Sequence, residues 1–471
     1  MNSHRSGDHP LPGSRSVRGI LHFPLGGLGA LGLAMVVPTG VAQAKTLIDY
    51  FLPTPVIKQT TSNAWGSTGV LPRDQDNGVE DKTNKSWSYW DGKILRAKDG
   101  KYHMYASRWS QSAGHNGWFG SVCVHTVSDS SPLGPYVDKG LCYNDQNGKG
   151  HNVMVEQMND GTYFVLVSET RRPATVYTSK SLDGPWVAKG SISFQANGFN
   201  IDVGNGSQLH SNTVILPRPD GSFLSIAREG VVSLSTSGIL GPYKVMTKSV
   251  FPNVQGLNNG FAEDPVIWRS GNKYHITVNW WDAKQARHVM SDDGINNWKD
   301  MGVAYIPSRD FIKYSNGVVN HWTKIERPQV YLENGHVTHF TFSVIDVEKD
   351  KDGGNDNHNS KVIVVPFDGL QFDKDNGWVS DADPIAPHRP QGIAVVRQDG
   401  GWAVRLAGFG SEPVDLEVRD LDGRVAMRRS LAPSSAGTVS WPELDRLPSG
   451  TWFVGASTAN GTREISAFTR F

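Results

Sequence analysis

Five short clusters set side chains that suit acid–base or hydrogen-bonding chemistry at matching places along this sequence. They are Tyr89-Trp90-Asp91-Gly92, His151-Asn152, Ser211-Asn212, Glu263-Asp264-Pro265 and Glu326-Arg327-Pro328, and each stands just before an apolar run. Asp91, Glu263, Asp264 and Glu326 supply carboxyl groups able to give or take a proton. His151, Asn152, Asn212 and Arg327 supply orienting groups, and the planar guanidinium fork of Arg327 matches a carboxylate with two hydrogen bonds. A buried polar group without a partner costs about 1–3 kcal/mol, so positions with a purely structural role would favour small apolar residues. The pattern therefore points to a functional ring, with carboxylates that merely cap strand amides as the alternative.

What brings the five clusters together is a repeated unit of strand, tight turn and strand. The turns are Asp99-Gly100, Asp160-Gly161, Asp220-Gly221, Gly271-Asn272 and Asn334-Gly335, and three repeats close on Gly134-Pro135-Tyr136, Gly184-Pro185-Trp186 and Gly241-Pro242-Tyr243. Asp-Gly or Asn-Gly between apolar runs is a strong hairpin signal, and recurrence at roughly 50–60 residues marks a repeat architecture. The repeats run over Trp87–Tyr143, Gly150–Gly190, Ser211–Met246, Ala262–Tyr305 and Ile325–Phe367. Each has room for four strands, the content of one propeller blade. The expected fold is all-β, a five-bladed β-propeller over residues 87–387 whose innermost strands converge on one funnel. An all-β sandwich does not normally restate one motif at a fixed interval, and β-branched runs such as "KVIVVPF" (Lys361–Phe367) disfavour a helical solenoid.

The chain has 471 residues, a formal net charge of zero, and 15 Trp, 13 Tyr and 18 Phe. Aromatic residues at this density suit pleated strands, and the balanced charge leaves no electrostatic footprint for nucleic acid. Residues 1–44 read as an export signal: Arg5, Arg15 and Arg18, then an apolar run from Ile20 to Val37, then Ala42-Gln43-Ala44. An uncleaved anchor is the alternative, and no other stretch is long and apolar enough to span a bilayer. The expected location is secreted or cell-surface. Residues 45–86, largely polar, are expected to wrap the fold and carry little chemistry. Cys123 and Cys142 flank the close of the first repeat and suit a bridge between its outer strands in an oxidising compartment. They are too few for a zinc site, and no cofactor or metal is expected.

Residues 392–471 change in composition and read as a small β-sandwich. The segments "LEVRDLDGRVAMRR" and "LPSGTWFVGAS" resemble the C-terminal sorting domains of proteins exported by the type IX secretion system, which implies secretion machinery as a partner. An immunoglobulin-like accessory module is the plainer alternative.

From Trp87 to Phe367 the chain resembles the five-bladed glycoside hydrolases of family 43 and their relatives, which act on arabinose, xylose, galactose or fructose linkages. The segments "DGKYHMYASRW", "AEDPVIW" and "IERPQVYL" are closest to a poorly characterised secreted branch. The resemblance implies a base at Asp91 and an acid at Glu263. It departs at Gly92, where proline is usual, and at His151-Asn152, where a second carboxylate is usual. Two carboxylates flanking a glycosidic bond suffice for its hydrolysis, one protonating the leaving oxygen and the other activating water. Asp91 is therefore expected as general base, Glu263 as general acid, Glu326 as substitute acid in the repeated Glu-x-Pro frame, and Asp264 as the neighbour that raises the acid's pKa. Trp90 and Trp109 are candidates to stack on a sugar, with core packing the first reading for each ring taken alone, and Arg108 is expected on the rim and His115 facing the funnel. The expected substrate is a plant or algal polysaccharide or oligosaccharide.

Two other readings use the same ring. A polysaccharide lyase would neutralise a uronate with Arg327 and His151-Asn152 and take the proton with a base such as Tyr89, which explains Asn152. A non-catalytic sugar-binding propeller needs aromatic platforms but no paired carboxylates. The acidic stretch Asp346–His358 has the composition of a calcium loop without EF-hand spacing, and reads first as a solvated hairpin loop.

Overall fold

The computed structural model describes residues 45–251, 262–281, 284–306, 310–379, 392–398, 401–407, 413–420, 424–431, 437–458 and 463–470. The expected export signal therefore lies outside the described residues. No helix among the described residues is long and apolar enough to cross a membrane.

The chain is mostly β. In the order of the sequence, the first sheet holds β1 (Trp87–Arg96), β2 (Tyr102–Ser110), β3 (Val122–Ser128) and β4 (Val137–Leu141). The second holds β5 (His151–Gln157), β6 (Tyr163–Ser168), β7 (Thr175–Ser179) and β8 (Val187–Ser191). The third is β10 (Val214–Pro217), β11 (Phe223–Ala227), β12 (Val231–Ser235) and β13 (Tyr243–Thr247), with the two-residue β9 (Phe194–Gln195) added parallel to β13. The fourth is β14 (Ala262–Ser270), β15 (Lys273–Trp280), β16 (Gln285–Ser291) and β17 (Lys299–Tyr305). The fifth is β18 (Lys324–Glu333), β19 (His336–Ile345) and β20 (Ser360–Pro366). Apart from β9, all are antiparallel meanders. Their first strands adjoin in the order β1, β5, β10, β14, β18 and back to β1, the closed radial arrangement of a β-propeller.

The turns explain the meanders. Asp99, Asp160 and Asp220 each accept, through Oδ1, the backbone N–H two residues on, at 3.1, 2.8 and 3.0 Å. The intervening Gly100, Gly161 and Gly221 have φ of +91°, +80° and +84°, which glycine adopts without a Cβ penalty.

The fifth sheet has three strands where the repeat has room for four. The edge of β20 is instead covered by the N-terminal segment, with Val79 and Val362 exchanging N–H···O bonds of 3.0 and 3.1 Å. The Asn77 side chain pairs with the backbone of Val364 at 2.9 and 3.0 Å, and Leu52 N donates to Pro366 O at 2.9 Å. Residues 45–86 thus finish the sheet that the repeat leaves short, protecting an edge that would otherwise be open. Behind them the Glu80 side chain is fully buried between Arg73 (3.2 Å) and Lys361 (2.7 Å). After β20 comes the single α-helix among the described residues, α1 (Gly369–Asp375), capped by Asp368 through Gln371 N at 3.1 Å.

Cys123 and Cys142 are free, buried thiols. They sit side by side, with Cys142 N donating to Cys123 O at 3.0 Å, and the expected bridge is absent. Further along, β21 (Gly392–Gln398), β22 (Gly401–Ala407) and β25 (Gly437–Ser440) form one sheet. A second sheet comprises β23 (Val414–Arg419), β24 (Val425–Leu431), β26 (Gly450–Thr458) and β27 (Arg463–Arg470). Val404, Leu406, Leu416, Val418, Trp441 and Val454 from these sheets and their connections share one buried core.

Candidate active site

The innermost strands carry the same irregularity. In β1, β5, β14 and β18 the pairing register slips, between Asp91 and Lys93, His151 and Met154, Glu263 and Val266, and Glu326 and Gln329. Asp91, Asn152, Asp264 and Arg327 lie at these slips with φ of +68°, +51°, +55° and +49°, and Asn212, just before β10, matches them at +51°. A bulge leaves one residue unpaired and re-aims its side chain. The repeat therefore offers two positions per sheet. Trp90, His151, Ser211, Glu263 and Glu326 occupy the first, and Asp91, Asn152, Asn212, Asp264 and Arg327 the second. The sequence set Asp91 beside Glu263 and Glu326, but the structural register sets it with Asp264 and Arg327.

The second-position side chains knit into a buried network. Arg327 Nε donates to Asp91 Oδ1 at 2.8 Å, and Arg327 Nη1 lies 3.6 Å from Asp264 Oδ1. Asp264 also accepts from Asn212 Nδ2 at 3.0 Å and from Asn279 Nδ2 at 3.1 Å, and Tyr305 donates to Asn279 at 2.7 Å. The other oxygen of Asp91 accepts from the Ser107 hydroxyl and from Val153 N (2.9 Å). Asp91 is fully buried, with both oxygens engaged.

The first-position carboxylates face the opening. Glu263 and Glu326 line a cleft of about 380 Å³ together with Trp281, Lys324, Glu348, Lys349 and Asp350. Glu263 Oε2 accepts from Trp281 Nε1 at 3.0 Å, and its Oε1 pairs with Arg228. Burial, then the charge of Asp264, push the Glu263 carboxyl up to about 7, with Arg228 opposing and Glu326 adding to the rise. Glu326 is buried and paired with Lys349, and burial raises its carboxyl as well. Lys324 bridges to Glu348 at 3.1 Å and lies 5.0 Å over the Trp281 ring.

Other expected site residues are placed differently. Trp90 and Trp109 are each 3% exposed, in a cluster with Ile345. Rings this enclosed serve as core instead of as an open platform, although Lys349 Nζ lies 5.3 Å over the Trp90 ring. His115 is buried against both rings at 5.1 and 5.7 Å, and burial lowers it to about 2. His151 bonds to Ser121 at 3.0 Å and packs on Trp118, and burial lowers it to about 4, so it is neutral at pH 7. Arg108 is not at the cleft rim. It pairs with Asp138 at 2.5 Å and stacks 4.1 Å over Trp87. Asp138 also takes the Tyr89 hydroxyl at 2.9 Å, and burial raises the Tyr89 pKa, so the base that β-elimination would need is engaged elsewhere.

In the acidic stretch, Asp346 accepts from Ser67 N (2.8 Å) and pairs with His358 (2.7 Å), while Asp352 and Asp356 accept backbone N–H groups of Gly354 and Gly353. These oxygens stitch the loop together, and its Lys349 reaches into the cleft. Lys349, Trp281 and Arg228 escaped sequence reasoning because each lies at a strand end or in a connection outside the repeat's register.

No protein-family model and no curated protein sequence matches the chain. Among solved structures it is similar to a family 117 glycoside hydrolase of Zobellia galactanivorans, at 12% identity and a TM-score of 0.41, over 72% of this chain and 97% of that one. It is also similar to an α-L-arabinofuranosidase of Podospora anserina, at 12% identity and 0.41, over 64% and 97%. A third similarity is to an α-L-arabinofuranosidase of Clostridium thermocellum, at 13% identity and 0.39, over 59% and 89%.

Proposed function

We propose that this chain is a secreted glycoside hydrolase, a five-bladed β-propeller followed by a small β-sandwich, that cleaves glycosidic bonds of a plant or algal polysaccharide or oligosaccharide. One observation carries this reading: a carboxyl held at about 7, Glu263, opens with a second carboxyl, Glu326, onto one cleft. An acid poised near neutrality can protonate a leaving oxygen at working pH and recover its proton afterwards.

Glu263 is assigned the general acid. Glu326 takes the base's role, because it faces the cleft and is paired with the Lys349 cation. Asp91, the base that the family resemblance implies, would first have to release Arg327, Ser107 or Val153. Its place in this reading is to hold Arg327 and, through it, Asp264 behind the acid. Export by the signal in residues 1–44 and a sorting role for residues 392–471 complete the proposal.

The test incubates the protein with neutral and with uronate-rich polysaccharides, following reducing ends and ultraviolet absorbance. Reducing ends without new absorbance are expected. New absorbance from an unsaturated sugar would show elimination instead, and neither signal would leave a binding propeller. Glu263→Gln should lower kcat/KM by about 10²–10⁴-fold, the range for loss of a positioned proton donor. Azide should restore activity to Glu326→Gln; rescue of Asp91→Asn in its place would return the base to Asp91.

A further inference from the structure

Outside the cleft, the described residues bring one group of metal-ligating side chains together. His103 on β2 and His125 on β3 stack with ring centroids 4.9 Å apart and planes 14° apart, and His103 Nδ1 lies 2.8 Å from His125 Nε2. Asp183, in the turn between β7 and β8 of the next sheet, brings its Oδ1 to 3.9 Å from His103 Nδ1. One ligand atom from each of the three falls within 4.8 Å of the others. The turn is held in place. Tyr105 stacks on His125 at 5.0 Å and donates its hydroxyl to Leu182 O, while Asp183 N donates to Ser181 Oγ at 3.1 Å.

The fourth sheet holds an internal control. His275 and His288 on β15 and β16 repeat the stacked pair at 5.2 Å and 22°, with Nδ1 3.0 Å from Nε2. There His275 Nε2 meets Ser270 O at 3.2 Å, Trp268 stacks on both rings, and both histidines are fully buried. That pair lies wholly in the core and, among the described residues, gathers no third ligand, although its His288 Nδ1 is buried with no hydrogen-bond partner. In the first sheet a carboxylate does arrive, from the solvent side with its side chain 74% exposed, and it faces His103 Nδ1, while the ring's other nitrogen, Nε2, is buried with no hydrogen-bond partner.

We propose that His103, His125 and Asp183 form a zinc site that staples the first sheet to the second. Two imidazoles and one carboxylate suit Zn²⁺ better than Ca²⁺ or Mg²⁺, with water as the fourth ligand. Zn–N bonds of about 2.0–2.1 Å at a tetrahedral angle need the two nitrogens about 3.3 Å apart, so the rings part by roughly half an ångström. Cysteine is not required, which is why the scarcity of cysteines did not reveal the site.

The test strips tag-free full-length protein with chelator and titrates it with zinc chloride, by calorimetry and by thermal unfolding. One saturable site per chain and a raised Tm are expected, with magnesium chloride giving neither. Asp183→Ala changes an exposed side chain and should weaken zinc binding at least tenfold and remove the rise in Tm. His288→Gln should keep the site. Absence of saturable binding, or unchanged affinity in Asp183→Ala, overturns the proposal.

Discussion

Glu263 owes its raised pKa first to burial, and then to a balance of neighbours, two of which the sequence shows and one of which it does not. Asp264 follows it directly and raises its pKa, Glu326 faces the same cleft, and Arg228 opposes them from the third sheet. If Glu263 is the acid, kcat/KM should fall on the alkaline side with a midpoint of about 7. Asp264→Asn removes the neighbouring charge while keeping the shape, so this limb should move to lower pH; an unmoved limb in a pH–rate profile would disconnect Glu263 from the proton transfer. Linkage gives a second readout of the same group. Its carboxyl rises on folding from an ordinary 4.5 to about 7, so the folded chain holds a proton that the unfolded chain has released. Its contribution therefore favours folding less as pH rises through that window. A urea midpoint that drifts down between those values in wild type, and drifts less in Glu263→Gln, is the expected result.

At the scale of the element, the bulge of each inner strand decides which side chains reach the centre. Without it, successive residues would point to opposite faces of the sheet, and Glu263 and Asp264 would part. Asn and Asp accept the left-handed conformation more readily than other non-glycine residues, which accounts for four of the five second positions. Arg327 is the exception, and its ion pairs to Asp91 and Asp264 hold it there. Asn212→Ala should cost about 1–3 kcal/mol, from the left-handed backbone and the lost bond to Asp264. Asn212→Gly, which relieves only the backbone, should cost less. Chemical denaturation of the two variants measures the difference; equal losses would place the whole cost in the hydrogen bond.

For the whole molecule, closure of the ring depends on the segment that the sequence assigned the least work. Residues 45–86 complete the fifth sheet, and the Arg73–Glu80–Lys361 cluster fastens them with two cations on one carboxylate in the dry interior. Burial opposes the charged form of Glu80, yet Lys361 and Arg73 together hold its carboxyl below the usual range. Glu80→Ala would leave both cations unpaired, a change that costs about 3–5 kcal/mol for a buried pair. A Tm within a degree of wild type would show that the ring closes without this fastening.

The repeat, its turns and the polar character of each inner strand's start were legible in the sequence because they are local. An Asp-Gly turn and an apolar run carry their own geometry, and both recur often enough to be recognised. Four of the five clusters meet in one side-chain network, through Asp91, Asn212, Asp264 and Arg327. Their register was not legible, because a bulge adds one residue without marking which one, and so Asp91 was aligned with Glu263 when its structural counterpart is Asp264. Nor did the sequence show that the N-terminal segment pairs with Val362, that Lys349 reaches Glu326 from an acidic loop, or that Trp90 and Trp109 pack inward. These are contacts between residues far apart in the chain, chosen by which edges lay open and which charges needed partners in the interior. The sequence by itself determined the kind of fold and the inventory of acids. Only the tertiary structure decided which of them face the cleft, because burial and the nearest opposite charge act through space and carry no signature in residue order.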